Sequence, residues 1–389
     1  MTAASNPTRQ TKPQRPRTFY FNYKEYVEHW DEIKGIFSKE AILKGSFDKY
    51  ADTNKAKRGT AEVDAAFLEE IAGWRQSLAQ NIALRNPDLD TRELNVAVQS
   101  TIDRIVFLRI CEARGIERYG QLLAFGEGER VYPRLGELFR RADERYNSGL
   151  FHFEDEPGRE EPDCLSLHLT VDDRPLKEII KSLYYPESPY EFSVIPAEIL
   201  GHVYEQFLGK VIRLTEGHRA KVEDRPEVKK AGGVYYTPSY IVEYIVKNTV
   251  GKILEGKTPA EAAALRILDP ACGSGSFLIG AYQYLLDWHR DWYVQHLLPL
   301  LKGSKPSSPE IRRLLPAAEP GRRGRKREAE LPIYQARDGE WRLSTAERKR
   351  ILLNNIYGVD IDRQAVEVTK LLLLLKVLEG ENEKTISSS

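Results

Sequence analysis

The sequence is poor in the residues that build metal centres and covalent cross-links. It has three cysteines in 389 residues, Cys111, Cys164 and Cys272, far apart and without a CxxC pair. Neither a zinc site nor a disulfide framework is indicated. The seven histidines show no metal-ligand spacing. The longest purely aliphatic run, Leu371 to Leu375, is far short of a membrane span, and the N-terminus lacks the apolar core of a signal peptide. These absences predict a soluble, cytoplasmic protein with no membrane partner. Net charge is also absent, with 58 basic residues against 58 acidic, so overall charge says nothing about a nucleic-acid partner.

What is present is a hydrophobic content of 41%, enough for a sizeable core, and strong local patterning. Residues 1–17 are polar and Pro/Arg-rich and are expected to form a disordered tail. Residues 18–213 read as a mostly helical domain. Phe67, Ile71, Trp74 and Leu78 recur at helical spacing, and so do Ile102, Val106 and Ile110, with Gly115 placed to end that helix. Shorter helical patterns occur at 133–147, 174–184 and 196–213, and the acidic stretch 154–163 reads as a surface loop. From 214 onward the pattern becomes α/β. A helix is predicted to start at Thr237 and Pro238, strands at LRILD (265–269) and IYGVDI (356–361), and helices after each. Residues 302–343, rich in Pro, Gly, Arg and Lys, read as a flexible insertion. Ser344 and Glu347 have capping-box spacing, and Asp362 suits the N-cap of the last helix.

The stretch LRILDPACGSGSFL (265–278) joins a strand to a helix through a glycine turn. Gly273 and Gly275 let the backbone approach a ligand closely, and the helix start offers N–H groups that can bind a phosphate or a carboxylate. A dinucleotide fingerprint is not met, because Leu278 stands where its third glycine belongs, and no Gly-Lys-Ser/Thr comes after the turn for a phosphate loop. The strand-terminal Asp269 disfavours a polyphosphate and suits a cationic ligand such as a sulfonium bearing an ammonium. Asp360, ending the second strand, is placed to accept hydrogen bonds from ribose hydroxyls. Cys272 has no base partner and is expected to fill space. GRRGRKRE (321–328) reads as a solvated segment that could also touch DNA phosphates. DRPEVK (224–229) reads as a charged loop, not a nuclease metal site.

Three segments together resemble the adenine-specific DNA methyltransferases: GVYYTP (233–238), DPACGSGSF (269–277) and NNIYGVDIDRQAVEVTKLLLLLK (354–376). With the helical region, they are similar to the type IIG restriction-modification enzymes over roughly residues 20–380. The resemblance implies an α/β, Rossmann-like S-adenosylmethionine-dependent methyltransferase half-domain, residues 214–389, preceded by the helical connector. It implies that Thr237 and Pro238 line the methionine end of S-adenosyl-L-methionine. Asp269 would hold its amino group, Pro270, Ala271, Cys272, Gly273 and Gly275 would form the loop around it, and Asp360 would bind its ribose. The family's catalytic Asn-Pro-Pro-aromatic motif does not occur in this sequence, and only the segment to Ser389 comes after Asp360. The chain is therefore expected to carry the cofactor-binding half of a DNA adenine methyltransferase. A second chain would then supply the catalytic motif and the target-recognition domain, and double-stranded DNA would be the substrate. The alternative is a non-catalytic remnant or accessory subunit that binds S-adenosylmethionine or DNA. Either way, missing strands should leave a sheet edge and apolar surface uncovered, and part of Leu371–Leu375 exposed.

Overall fold

The computed structural model describes residues 60–301 and 331–381, apart from 147, 157–160, 189, 194, 196, 226–236 and 337–338, with a few isolated positions outside those spans. The tail 1–17, Tyr235, Tyr236 and the basic run 321–328 lie outside the described residues. Two compact units are distinguished, Met1–Val63 and Asp64–Ser389, and the second contains both a helical and an α/β part.

Five helices build the helical part: α1 (Thr60–Arg85), α2 (Thr91–Ala113), α3 (Val131–Tyr146), α4 (Asp173–Ser182) and α5 (Ala197–Leu208), and α2 is buried almost all round. The predicted stripe of Phe67, Ile71, Trp74 and Leu78 is buried, as are Ile102, Val106 and Ile110. α2 opens with a full capping box between Asp90 and Glu93. Gly115, just past its end, sits at φ +69°, the left-handed conformation that ends helices.

Two expectations here are corrected. The acidic stretch 154–163 is not wholly surface loop, since Asp163 pairs at 2.7 Å with the buried Arg104, which also donates to Leu150 O and Ser166 Oγ. The helical pattern 196–213 stops at Leu208, and Lys210–Leu214 forms β1, antiparallel to β2 (Ala220–Asp224). Asn95 of α2 captures β1 by exchanging two hydrogen bonds with the Ile212 backbone.

In the α/β part, α6 (Ser239–Asn248) starts one residue later than predicted: Pro238 is the N-cap and no side chain caps the helix. β3 (Ile267–Asp269) leads through the glycine loop into α7 (Ser276–His296). Within 302–343, read as a flexible insertion, β4 (Ile333–Gln335) and β5 (Trp341–Leu343) pair antiparallel and bury Ile333 and Leu343. α8 (Thr345–Asn355) is capped by Ser344 Oγ, but Glu347 does not close the box. Its carboxylate instead accepts from Tyr293 OH at 2.8 Å and from Arg350. β6 (Ile356–Gly358) lies parallel to β3, with Ile267 opposite Ile356, Leu268 opposite Tyr357 and Asp269 opposite Gly358; both strands are shorter than the predicted 265–269 and 356–361, and Asp360 lies two residues past the end of β6 instead of closing it. α9 (Arg363–Val377), N-capped by Asp362, completes the unit. The sheets among the described residues are all two-stranded.

α9 explains how the parts cohere. It packs on α5 and α2 while touching α7 and α8. Leu371, Leu372, Leu374 and Leu375 are therefore buried and Leu373 is half-buried, so most of the exposure expected for this run is not found. Apolar surface is uncovered on the parallel strands and just beyond them. Leu268 and Tyr357, opposite one another, are 60% and 41% exposed, and Val359 and Ile361 are exposed too.

One buried acid makes a testable feature of this junction. Asp103 on α2 is fully buried and accepts from Gln99 Nε2 at 2.7 Å. Burial pushes its pKa from the usual 3.8 up to about 7, opposed by hydrogen bonds from Gln99 and Tyr204 and aided by Glu367. Between those values the folded chain holds a proton that the unfolded chain releases, so this residue's contribution to stability falls as pH rises through the window. Asp103→Asn removes the slope. The melting temperature of the variant minus that of the wild type is expected to grow from pH 5 to pH 8, and thermal melts at both pH values check it.

Candidate functional site

The site is built where the two parallel strands end, the place where open α/β sheets receive ligands. The pairing continues past the strands as a staple: Val359 N donates to Asp269 O at 2.9 Å, and Cys272 N donates to Val359 O at 3.0 Å. The loop between them needs its glycines. Gly273 and Gly275 have φ of +54° and +85°. A Cβ on Gly275 would stand 2.8 Å from Thr369 Cγ2, while Thr369 Oγ1 donates to Gly273 O at 2.9 Å. The loop thus lies directly on α9. Gly358 is equally confined, since a Cβ there would come within 2.6 Å of Leu278 Cδ1.

Three carboxylates converge on this loop. Asp269 Oδ1 accepts from Ala271 N at 3.1 Å. Asp360 Oδ2 accepts from Gly273 N at 2.9 Å, while its Oδ1 accepts from Asp362 N at 2.8 Å. Glu205 of α5 accepts from Ser274 N at 3.3 Å. The amides of Gly273 and Ser274 are therefore taken by the chain's own acids, and a phosphate arriving here would meet like charge. None of the three has an ion-pair partner among the described residues. Asp362, by contrast, is neutralised by Arg225 at 2.5 Å.

Of the residues predicted to bind the cofactor, Asp269, Pro270, Ala271, Cys272, Gly273, Gly275 and Asp360 are brought together in this loop and strand end. Pro270 and Ala271 are exposed, Asp269 and Asp360 half-buried, and Cys272 and Gly275 buried. Thr237 is half-buried and Pro238 exposed at the start of α6. That helix reaches α7 where a Cβ on Gly280 would stand 2.4 Å from Val242. Burial, with the Asp360 and Asp269 carboxylates, pushes the Cys272 thiol up, which speaks against a nucleophile. Sequence reasoning missed Glu205 and Thr369. Glu205 had a signal: it is the lone charged residue in the stretch from Ile199 to Gly209.

The donor set suits a ligand with a cationic end and vicinal hydroxyls. The carboxylates can accept from an ammonium and from a ribose. Ser274 Oγ is buried without a hydrogen-bond partner among the described residues. Among the described residues no group of His, Cys, Asp or Glu could hold a metal ion, and no helix is long and apolar enough to cross a membrane.

Comparison with known proteins supports the same chemistry. Residues 196–295 match the N-6 DNA methylase family, and residues 257–386 match the DNA-methyltransferase domain of the MmeI family. The chain is 32% identical over 368 residues, 94% of its length, to the type II restriction enzyme and methyltransferase RM.Eco57I of Escherichia coli, covering 32% of that protein. It is 25% identical, over 93% of its length, to the putative type II restriction enzyme and methyltransferase RM.MjaORFECS2P of Methanocaldococcus jannaschii, again covering 32% of the relative. A shorter match, 28% identical over 150 residues, is to the adenine-specific methyltransferase BrxX of Escherichia coli O9:H4. The chain spans about a third of the length of the two restriction-modification relatives. The strand and glycine loop, with Asp269, fall inside both family matches, Glu205 inside the N-6 DNA methylase match and Asp360 inside the MmeI match, so residues 196–386 are similar to DNA methyltransferase domains.

Proposed function

We propose that this chain is the cofactor-binding half of a Rossmann-like DNA adenine methyltransferase in a cytoplasmic restriction-modification system. The observation that carries this is the convergence of Asp269, Asp360 and the Gly273–Gly275 turn at the ends of two parallel strands. Asp269 would hold the ammonium of S-adenosyl-L-methionine, Asp360 its ribose hydroxyls, and Pro270 to Gly275 the loop around it, with Thr237 and Pro238 at the methionine end. When bound, the cofactor supplies a methyl group on a sulfonium, to be taken by the amino group of an adenine flipped from double-stranded DNA. The residues of this chain bind and orient it, since alignment is the main requirement of such a transfer.

The Asn-Pro-Pro-aromatic segment that holds the flipped base does not occur in these 389 residues and would be supplied by further polypeptide, together with target recognition. The exposed Leu268, Tyr357, Val359 and Ile361 support this, because parallel strands are normally covered on both faces. Replacing Leu268 and Tyr357 together by Ser is expected to lower the stability of the isolated chain by about 1–2 kcal/mol in total without unfolding it, since Tyr357 gives up its bond to Leu353 O and its cross-strand contact. The same change should abolish its co-purification with a polypeptide carrying the catalytic motif. Urea unfolding and affinity co-purification would show the two effects separately.

The function itself is tested by co-expressing the chain with such a polypeptide and tracing labelled methyl from S-adenosylmethionine into duplex DNA. Label recovered as N6-methyladenine is expected. Label in cytosine, or no transfer by a purified complex that binds both cofactor and DNA, contradicts the proposal.

A further inference from the structure

Glu205 belongs to α5, in the region read from sequence as a helical connector, yet it reaches the glycine loop. Its two carboxylate oxygens lie 3.6 and 3.8 Å from where a Cβ on Gly273 would stand, ordinary contact distances that set the carboxylate directly against the loop. Oε2 is anchored by the Ser274 amide at 3.3 Å, whereas Oε1 forms no hydrogen bond among the described residues. Glu205 is half-buried, so Oε1 remains open to a ligand. No cation of the described residues pairs with this carboxylate. The same Ser274 that anchors it carries the buried, unpartnered hydroxyl. The N-6 DNA methylase match begins at residue 196 and so takes in α5, independently of the geometry.

We propose that Glu205 is a cofactor-contact residue delivered by the helical region, and that its free carboxylate oxygen takes the primary ammonium of S-adenosylmethionine alongside Asp269. This rests on the cofactor reading above. Anchoring one oxygen to the loop fixes the position of the other. A charged acceptor held in place is what discriminates an ammonium from a neutral group. Cofactor occupancy would then be felt directly by α5, which packs on α9.

Glu205→Gln tests this, because glutamine keeps an acceptor for the Ser274 amide while removing the charge. Three ligands are titrated calorimetrically into the full chain: S-adenosylmethionine, S-adenosylhomocysteine and 5′-methylthioadenosine, the last lacking the ammonium. Affinity for the first two is expected to fall about tenfold or more, in step, with 5′-methylthioadenosine and the melting temperature unchanged. Glu205→Asp, which keeps the charge, should retain more affinity for S-adenosylmethionine than Glu205→Gln. Unchanged S-adenosylmethionine binding by Glu205→Gln overturns the proposal. A parallel loss of 5′-methylthioadenosine binding also overturns it, by showing that Glu205 merely shapes the loop. Failure of the wild-type chain to bind S-adenosylmethionine at all contradicts the cofactor reading itself, and this proposal with it.

Discussion

Replacing Asp360 by Ala is expected to weaken S-adenosylmethionine binding at least about a hundredfold, a change worth about 2.8 kcal/mol. Asp360 is tied at both oxygens, to Gly273 N at 2.9 Å and to Asp362 N at 2.8 Å. Truncation leaves both amides without their acceptor, at roughly 1–3 kcal/mol for each that stays buried. It also frees the glycine turn from β6 and removes the group proposed to accept from the ribose. Asp360→Asn should be intermediate. An amide offers one acceptor oxygen, and its NH2 would face one of the two backbone donors that the carboxylate now satisfies. Calorimetric titration of the three proteins, with melting temperatures measured alongside, separates lost ligand contacts from lost structure. Binding by Asp360→Ala within threefold of wild type would show that the clamp is irrelevant to the ligand.

Gly275→Val is expected to be the most damaging single change in the loop, lowering stability by about 3 kcal/mol or more. Two costs coincide. The backbone is at φ +85°, where a β-branched residue is strained, and the new Cβ would stand 2.8 Å from Thr369 Cγ2 and 2.9 Å from its Oγ1. Thr369 cannot simply rotate away, because its hydroxyl is bonded to Gly273 O. The contributions can be divided by making Gly275→Ala in wild-type and Thr369→Ala backgrounds. The Thr369→Ala background should recover the steric part and leave the backbone part. Urea unfolding measures both. Equal destabilisation in the two backgrounds would mean that the clash with Thr369 contributes nothing.

The long helices were legible because their apolar residues repeat at the helical period and nothing else competes for them: Phe67, Ile71, Trp74 and Leu78 fall on one buried stripe. The end of the first strand and the turn were legible for a different reason. An acid closing a short apolar strand before two glycines has few structural uses, and Asp269, Gly273, Gly275 and Asp360 do come together. The hairpins were not legible. β1 and β2 are short and half-exposed, and β1 is held by the Asn95 side chain across a long sequence separation, which no local pattern records. The β4–β5 hairpin was hidden because a Pro/Gly/Arg-rich surrounding segment dominates the composition near it. The leucine run was misjudged because its burial depends on α5 and α2 packing against α9, a tertiary fact. Glu205 was overlooked for the same reason. Its chemistry depends on a loop that lies far along the chain from it.

The account stands or falls on what the acid-ringed loop prefers to bind. The most direct measurement is a side-by-side calorimetric titration of the purified chain with S-adenosylmethionine and with ATP, at one ionic strength near neutral pH. The two ligands share adenosine and differ in carrying a cationic amino-acid end or a polyphosphate. The amides of Gly273 and Ser274 are already held by Asp360 and Glu205, and Asp269 adds a further negative charge. The expected result is saturable S-adenosylmethionine binding that is lost in Asp269→Ala, with no measurable heat from ATP. ATP binding as tightly as S-adenosylmethionine, or a folded chain indifferent to S-adenosylmethionine, would contradict it.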